Sequence, residues 1–148
     1  MEQGKSGMDI KGMNRKKIYE FLRRSRSVSK QDIVYALQLS LPTVTQNLQE
    51  LQEKGLLDTA GKIGNTGGRN ATAFTFISDA KVAVGIDIQK HRNTIVVVDL
   101  DGKVIETLKK KIDFSMTDEY YSKLGEGVRE ILEKTHTDPQ KVLGVGMG

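Results

Sequence analysis

The chain has 148 residues, enough for one ordinary domain or two small ones. It contains no cysteine, which excludes disulfides, thiolate metal sites and cysteine nucleophiles and agrees with a reducing, cytoplasmic setting. No apolar run approaches the ~18 residues of a membrane span, and the N-terminus lacks the apolar stretch of a signal peptide, so membrane and secreted readings fall. The net charge of +4 is unevenly placed: residues 1–80 carry 12 Lys+Arg against 8 Asp+Glu, whereas residues 81–148 carry 11 of each. Such asymmetry points to a basic module that meets a polyanion, joined to a neutral module with another task. A merely solubilising surface would produce the same arithmetic.

Residues 1–13 are polar, with three glycines, and read as a disordered leader. From Asn14, a good N-cap, Ile18, Phe21 and Leu22 follow helical spacing. Ser25–Ser27 interrupts it. Ser29 then caps a second helix with Asp32 three residues on, a near variant of the capping box. Ile33, Val34, Ala36 and Leu37 are its apolar residues. A third helix opens at Ser40, tolerates Pro42 in its first turn, carries the stripe Val44, Leu48, Leu51 and closes at Gly55. The period then changes to two. Leu56-Leu57 begins a strand, Asn65-Thr66-Gly67-Gly68 supplies turn chemistry, and Ala71–Ile77 returns as an alternating strand. Three helices followed by a β-hairpin describe a winged helix-turn-helix over residues 14–79.

Residues 80–148 open with the β-branched run Val82–Ile88. Thr94–Leu100 and Val104–Ile112 form further strands around the turn Asp101-Gly102. Ser115 or Thr117 caps a long helix to about Lys134 with Leu124, Val128, Ile131 and Leu132 inward. Asp138-Pro139 breaks that helix, and Val142–Val145 is a short final strand. The order is β-β-β-α-β, so the fold class is α+β.

In a helix-turn-helix the second helix crosses the DNA backbone and the third enters the major groove, which requires a tight corner that is apolar inside. Ala36, Leu39, Val44 and Leu48 are placed to supply it. On the third helix this leaves Thr43, Thr45, Gln46 and Gln49 facing outward. Gln binds adenine bidentately, and Thr offers a hydroxyl and a methyl. The helix has no basic residue before Lys54, so phosphate attraction falls to Lys30 and to Arg15, Lys16, Lys17, Arg23, Arg24 and Arg26. Gly67 and Gly68 allow the hairpin close to a groove wall, and Arg69 at its tip can enter a narrow minor groove. A helical bundle with a solvated polar face and an incidental loop Arg is the plainer alternative. Asp87 ends a strand where a carboxylate can support a metal-bound phosphate, but the turn Gln89-Lys90-His91-Arg92 offers no glycine amides. His91 and His136 are far apart and have no ligand partners around them.

Three segments together resemble the ROK family (repressor, open reading frame, kinase). They are Leu39-Ser40-Leu41-Pro42-Thr43-Val44-Thr45 through Gly55-Leu56, the wing Thr66-Gly67-Gly68-Arg69, and Val84-Gly85-Ile86-Asp87-Ile88 with Val98-Asp99-Leu100-Asp101-Gly102. The resemblance spans residues 14–148. It implies a winged-helix DNA-binding domain and then a sugar-kinase-like domain of the actin/hexokinase type, here incomplete over 80–148. It also implies a homodimer on a double-stranded DNA operator, repression of carbohydrate-related genes and a sugar or sugar-phosphate effector. Thr43, Thr45 and Gln46 match recognition-helix positions, with Ser40 before them a further DNA-binding candidate, and Gly67, Gly68 and Arg69 match the wing, where Asn70 stands in place of a common proline. Asp87 matches the phosphate-loop aspartate of kinase members, but Gln89-Lys90-His91 replaces their Gly-Gly-Thr. The expectation is therefore a regulator and not an enzyme, with no cofactor and no metal. The family's catalytic aspartate, sugar contacts and histidine-cysteine zinc site have no counterpart before Gly148. A sugar kinase with an accessory module, or a DNA binder without effector sensing, are the alternatives.

Overall fold

The computed structural model describes residues 7–25, 27–63 and 71–148. The chain is mixed α+β, with four α-helices and two sheets among the described residues, and divides into two compact units, Met1–Ile77 and Ser78–Gly148.

The first unit runs α1 (Gly7–Arg24), β1 (Val28–Ser29), α2 (Lys30–Leu37), α3 (Leu41–Glu53), β2 (Leu57–Ile63) and β3 (Ala71–Phe76). Each helix contributes residues at i, i+3 or i+4 spacing to one core: Ile18 and Leu22 from α1, Ile33 from α2, and Val44, Leu48 and Leu51 from α3. Leu57 and Phe74 close that core from the sheet. The strands pair antiparallel in the order β1-β3-β2, with Val28 opposite Phe74 and Leu57 opposite Phe76. Tyr19 meets Phe76 edge-on at 5.3 Å between ring centroids. After α3, the Leu56 amide donates to the Leu51 carbonyl and the Gly55 amide to that of Gln52, a paired closure that needs Gly55 at φ 69°. The chain thereby leaves the helix and enters β2 after three residues.

Three sequence expectations change here. The helix expected from Asn14 begins at Gly7, so residues 7–13 are helical rather than part of a disordered leader; residues 1–6 lie outside the described residues. The extension is held by a long-range ion pair of Lys11 with Glu50, which local pattern does not reveal. Ala36, expected in the apolar corner, is exposed. Val28–Ser29, between the break at Ser25–Ser27 and the second helix and expected in no strand, pairs with β3, while Ser29 also caps α2 as expected.

The second unit runs β4 (Val82–Gln89), β5 (Arg92–Asp99), β6 (Val104–Lys110), α4 (Asp118–Lys134), a 3-10 turn (Pro139–Lys141) and β7 (Val142–Met147). Its sheet order is β6-β5-β4-β7, antiparallel except that β7 lies parallel to β4. A parallel return needs a long crossover, and α4 supplies it. Thr117 caps α4, its hydroxyl accepting the Tyr120 amide at 3.3 Å. Val82, Val84, Ile86, Ile95 and Val97 bury one sheet face against Tyr120, Leu124, Ile131 and Leu132. The helix sits close to β5: a Cβ on Gly127 would lie 2.5 Å from Ile95 Cδ1. Inside this layer Tyr120 donates its hydroxyl to Asn93 Oδ1 at 2.9 Å.

The two sheet margins differ. Strand β6 carries Glu106, Lys109 and Lys110. Strand β7, sequence VLGVGM, carries no charge and leaves Leu143, Val145 and Met147 exposed.

Candidate nucleic-acid interface

Local chemistry positions α2 and α3 before any tertiary contact is counted. At α2 the Ser29 hydroxyl accepts the Asp32 amide at 3.2 Å while Asp32 accepts the Ser29 amide at 2.8 Å, a reciprocal cap. The Ser29 amide, and the Ser29 hydroxyl donating to the same carboxylate at 2.7 Å, hold the Asp32 carboxyl below its usual range. Gln38 adopts the left-handed conformation at φ 53° and its side chain donates to the Tyr35 carbonyl at 3.0 Å, which turns the chain toward α3. Ser40 is the N-cap of α3, its hydroxyl accepting the Thr43 amide at 3.4 Å and lying 2.8 Å from the Thr43 hydroxyl.

The inward side of α3 is Val44, Leu48 and Leu51 together with Asn47. Asn47 is buried and donates its amide to the Thr43 carbonyl at 2.8 Å, while its Oδ1 has no partner among the described residues. A buried amide within an apolar stripe is invisible to hydrophobic periodicity, and the sequence reading assigned it no place. The opposite side carries Gln46 and Gln49, both exposed, with Thr43 and Thr45 half-buried on its flanks. Gln49 donates one amide N–H to Glu53 at 3.0 Å, which leaves its second N–H and its oxygen for other partners. Ser40 and Thr43 share one hydroxyl–hydroxyl hydrogen bond. Of the five polar residues expected on this helix start and face, Gln46 and Thr45 are those without such an internal bond here.

The cations are placed unequally. Arg15 and Lys11 both pair with Glu50 of α3, so Arg15 fastens α1 to α3. The Lys11 hydrogen bond, with the charges of Arg15 and Lys54, holds the Glu50 carboxyl below its usual range. Lys16 is exposed and reaches Glu20 only at 4.0 Å, and Lys17 is exposed. Lys30, first residue of α2, lies with its ammonium 5.9 Å from the centre of the Phe74 ring, a cation–π contact that steadies its stem on the sheet. The wing residues Gly67, Gly68 and Arg69, and Arg26, lie outside the described residues.

In the second unit, Asp87 is exposed at the end of β4 and accepts the Gln89 side-chain amide at 2.8 Å. Gln89 in turn accepts from Arg92 at 2.8 Å. The β4–β5 connection is thus a tight hairpin locked by side chains, with no cradle of backbone amides beside the carboxylate. His91 is exposed, 2.8 Å from Asp113, and His136 is exposed at φ 50°. Among the described residues no group of three or more His, Asp or Glu could hold a metal ion, and no helix is long and apolar enough to cross a membrane.

No protein-family model matches the chain. It is 28% identical over 96 residues to the DNA-binding transcriptional dual regulator NagC of Escherichia coli K12, covering 65% of this chain and 24% of that protein. The N-acetylglucosamine repressor of Shigella flexneri matches with the same identity and coverage. The chain therefore spans about a quarter of the length of these relatives. Among solved structures, a ROK family transcriptional regulator, described as a homolog of the E. coli MLC protein, superposes with a TM-score of 0.68 at 17% identity, covering 93% of this chain and 35% of that one. That likeness is one of fold.

Proposed function

We propose that this chain, which its likenesses support as a ROK-family transcriptional regulator, is a sequence-specific DNA-binding repressor of carbohydrate-related genes acting as a homodimer on a two-fold symmetric operator. In this reading the first unit is a winged helix-turn-helix, α3 its major-groove reader and the segment between β2 and β3 its wing. The observation that carries the proposal is the construction of α3. Ser40 caps the helix and Val44, Leu48 and Leu51 bury its inner side. Glu50 then ties it to α1, so that Thr45, Gln46 and Gln49 stand together on the surface. A rigidly held helix with amide and hydroxyl groups outward suits base edges, and Lys16, Lys17 and Lys30 suit phosphates. Two-fold symmetry doubles the contacts of a helix that alone reads few bases.

The second unit is read as the opening part of a sugar-kinase-like sensor domain, with a sugar or sugar phosphate as effector of the whole protein. No phosphoryl transfer is assigned to it: Asp87 is engaged by Gln89, and Lys90-His91 stands where glycine amides would be needed. The second reading is a DNA binder that does not respond to an effector.

Selection from a pool of randomised duplexes with the full chain tests the proposal. Enrichment of a palindromic sequence over bulk DNA supports it, and a pool that stays random after repeated rounds overturns it. Adding N-acetylglucosamine or its phosphate to the selected complex separates the two readings: loosened binding favours a sensor, unchanged binding the second reading.

A further inference from the structure

The first turn of α3 presents hydrocarbon where the sequence expectation placed only polar readers. Leu41, its first residue, is 47% exposed, and Pro42 beside it is exposed as well. Neither belongs to the buried stripe of Val44, Leu48 and Leu51. The flanking hydroxyls of Ser40 and Thr43 are turned on each other at 2.8 Å, and Ser40 is further committed to the Thr43 amide. At this end of the helix the two hydroxyls are hydrogen-bonded to each other, and exposed hydrocarbon of Leu41 and Pro42 stands between them in sequence. Thr45 lies one turn beyond Leu41, close enough to extend the same side with its methyl, and Gln46 holds the same place relative to Pro42.

The geometry points to Leu41 and Pro42 as the residues that read thymine. This rests on the DNA-binding reading above and adds to it the identity of a base. The N-terminal residues of a recognition helix are those that approach base edges in the major groove. Of the groups exposed there, the C5-methyl of thymine is the apolar one. A leucine and a proline at that place have no hydrogen bond to offer an edge, but they can cover a methyl group and remove it from water. Gln46, one turn along, has the amide that pairs with adenine N6 and N7. The helix thus carries a matched set for A·T pairs, hydrocarbon for the thymine and amide for the adenine. Each operator half-site contains at least one thymine whose methyl group is needed.

The test uses the full chain and the duplex it selects from a randomised pool, with each thymine replaced in turn by deoxyuridine, which removes the methyl and leaves every hydrogen-bonding group in place. At one position or more the wild-type chain binds about four-fold more weakly, the loss that corresponds to one methyl group no longer buried. Leu41→Ala binds the unmodified duplex more weakly and is indifferent to deoxyuridine at that position, whereas Leu41→Met, which keeps the hydrocarbon, retains the dependence. A uracil scan that is flat for the wild type, or equal in wild type and Leu41→Ala, overturns the assignment while leaving DNA binding intact. A Leu41→Ala chain that changes its self-association and not its thymine dependence overturns it too, and assigns the leucine to a protein contact. A pool that yields no selected duplex overturns the underlying DNA-binding reading instead, and this assignment with it.

Discussion

Lys11 of α1 meets Glu50 of α3 at 2.6 Å, across 39 positions of sequence, and Arg15 closes on the same carboxylate. The helix proposed to enter the groove is thus fastened at its back to the most basic helix of the chain. Part of the positive charge of α1 is spent on that brace and not on phosphate.

The brace has a pH signature. The Glu50 carboxyl sits below its usual range because Lys11 hydrogen-bonds it and Arg15 and Lys54 lie near. A carboxylate with a folded pKa below the unfolded one stabilises the fold above the unfolded value, near 4.3, and loses that contribution as pH falls through the folded value. Glu50→Gln should therefore unfold more readily than wild type at neutral pH, with the difference shrinking below about pH 4. Chemical denaturation at a series of pH values reads this directly. A gap between the two proteins that stays constant from pH 7 to pH 3 would remove the brace from the account.

Gln46→Ala should weaken binding to the selected duplex by about 1–3 kcal/mol and relax preference at a single base pair. The residue is exposed and does not contribute to the core, so thermal stability should stay within about 0.5 kcal/mol. Binding measured against all four substitutions at each operator position is the check. Undiminished discrimination everywhere would mean that α3 does not read bases through this amide.

Lys30 is proposed to meet phosphate. Its removal should weaken all duplexes alike and lower the slope of log affinity against log salt by about one. Lys30→Gln also forfeits the contact with Phe74, so a small loss of stability is expected beside the binding effect. A salt titration with selected and unrelated duplexes distinguishes this from a base contact, which would alter one sequence and leave the slope unchanged.

In the second unit the Tyr120 hydroxyl satisfies Asn93, which is fully buried. Tyr120→Phe strands a buried acceptor and should cost about 1–3 kcal/mol. Replacing Asn93 by Leu in the same background removes the orphan and should recover part of the loss. Equal stability of wild type and Tyr120→Phe in denaturant melts would show that this bond contributes nothing net.

Much of this arrangement is legible in the chain because its signals are local. The caps at Ser29 and Ser40 need only three or four residues to form, and they occur where spacing places them. The stripe Val44, Leu48, Leu51 is buried as its periodicity requires, and the crossover helix begins at one of its two expected caps, Thr117. What escapes local reading depends on distant partners. Helix α1 starts seven residues before Asn14 and holds Lys11 against Glu50. The strand Val28–Ser29 exists only because Phe74 and Ala73 lie opposite it. The site is legible in a similar proportion. The outward place of Gln46 follows from helical geometry, but the closure of Ser40 on Thr43, the use of Gln49 by Glu53 and the exposure of Leu41 do not. A hydroxyl or an amide in a sequence is a capacity for bonding, and only its neighbours decide whether it is still available.

The uneven margins of the second sheet bear on how the chain behaves in a test tube. Charged side chains on a border strand repel a second copy that tries to zip onto it, and β6 has them. Among the described residues β7 pairs with β4 alone, and it carries Leu143, Val145 and Met147 exposed, with no charge and no proline in the strand. Preparations of this chain should grow turbid with concentration and warmth, and low salt should not cure them, since there is no like charge on β7 to unmask. A lysine written into the middle of β7 at Val145 should keep them clear.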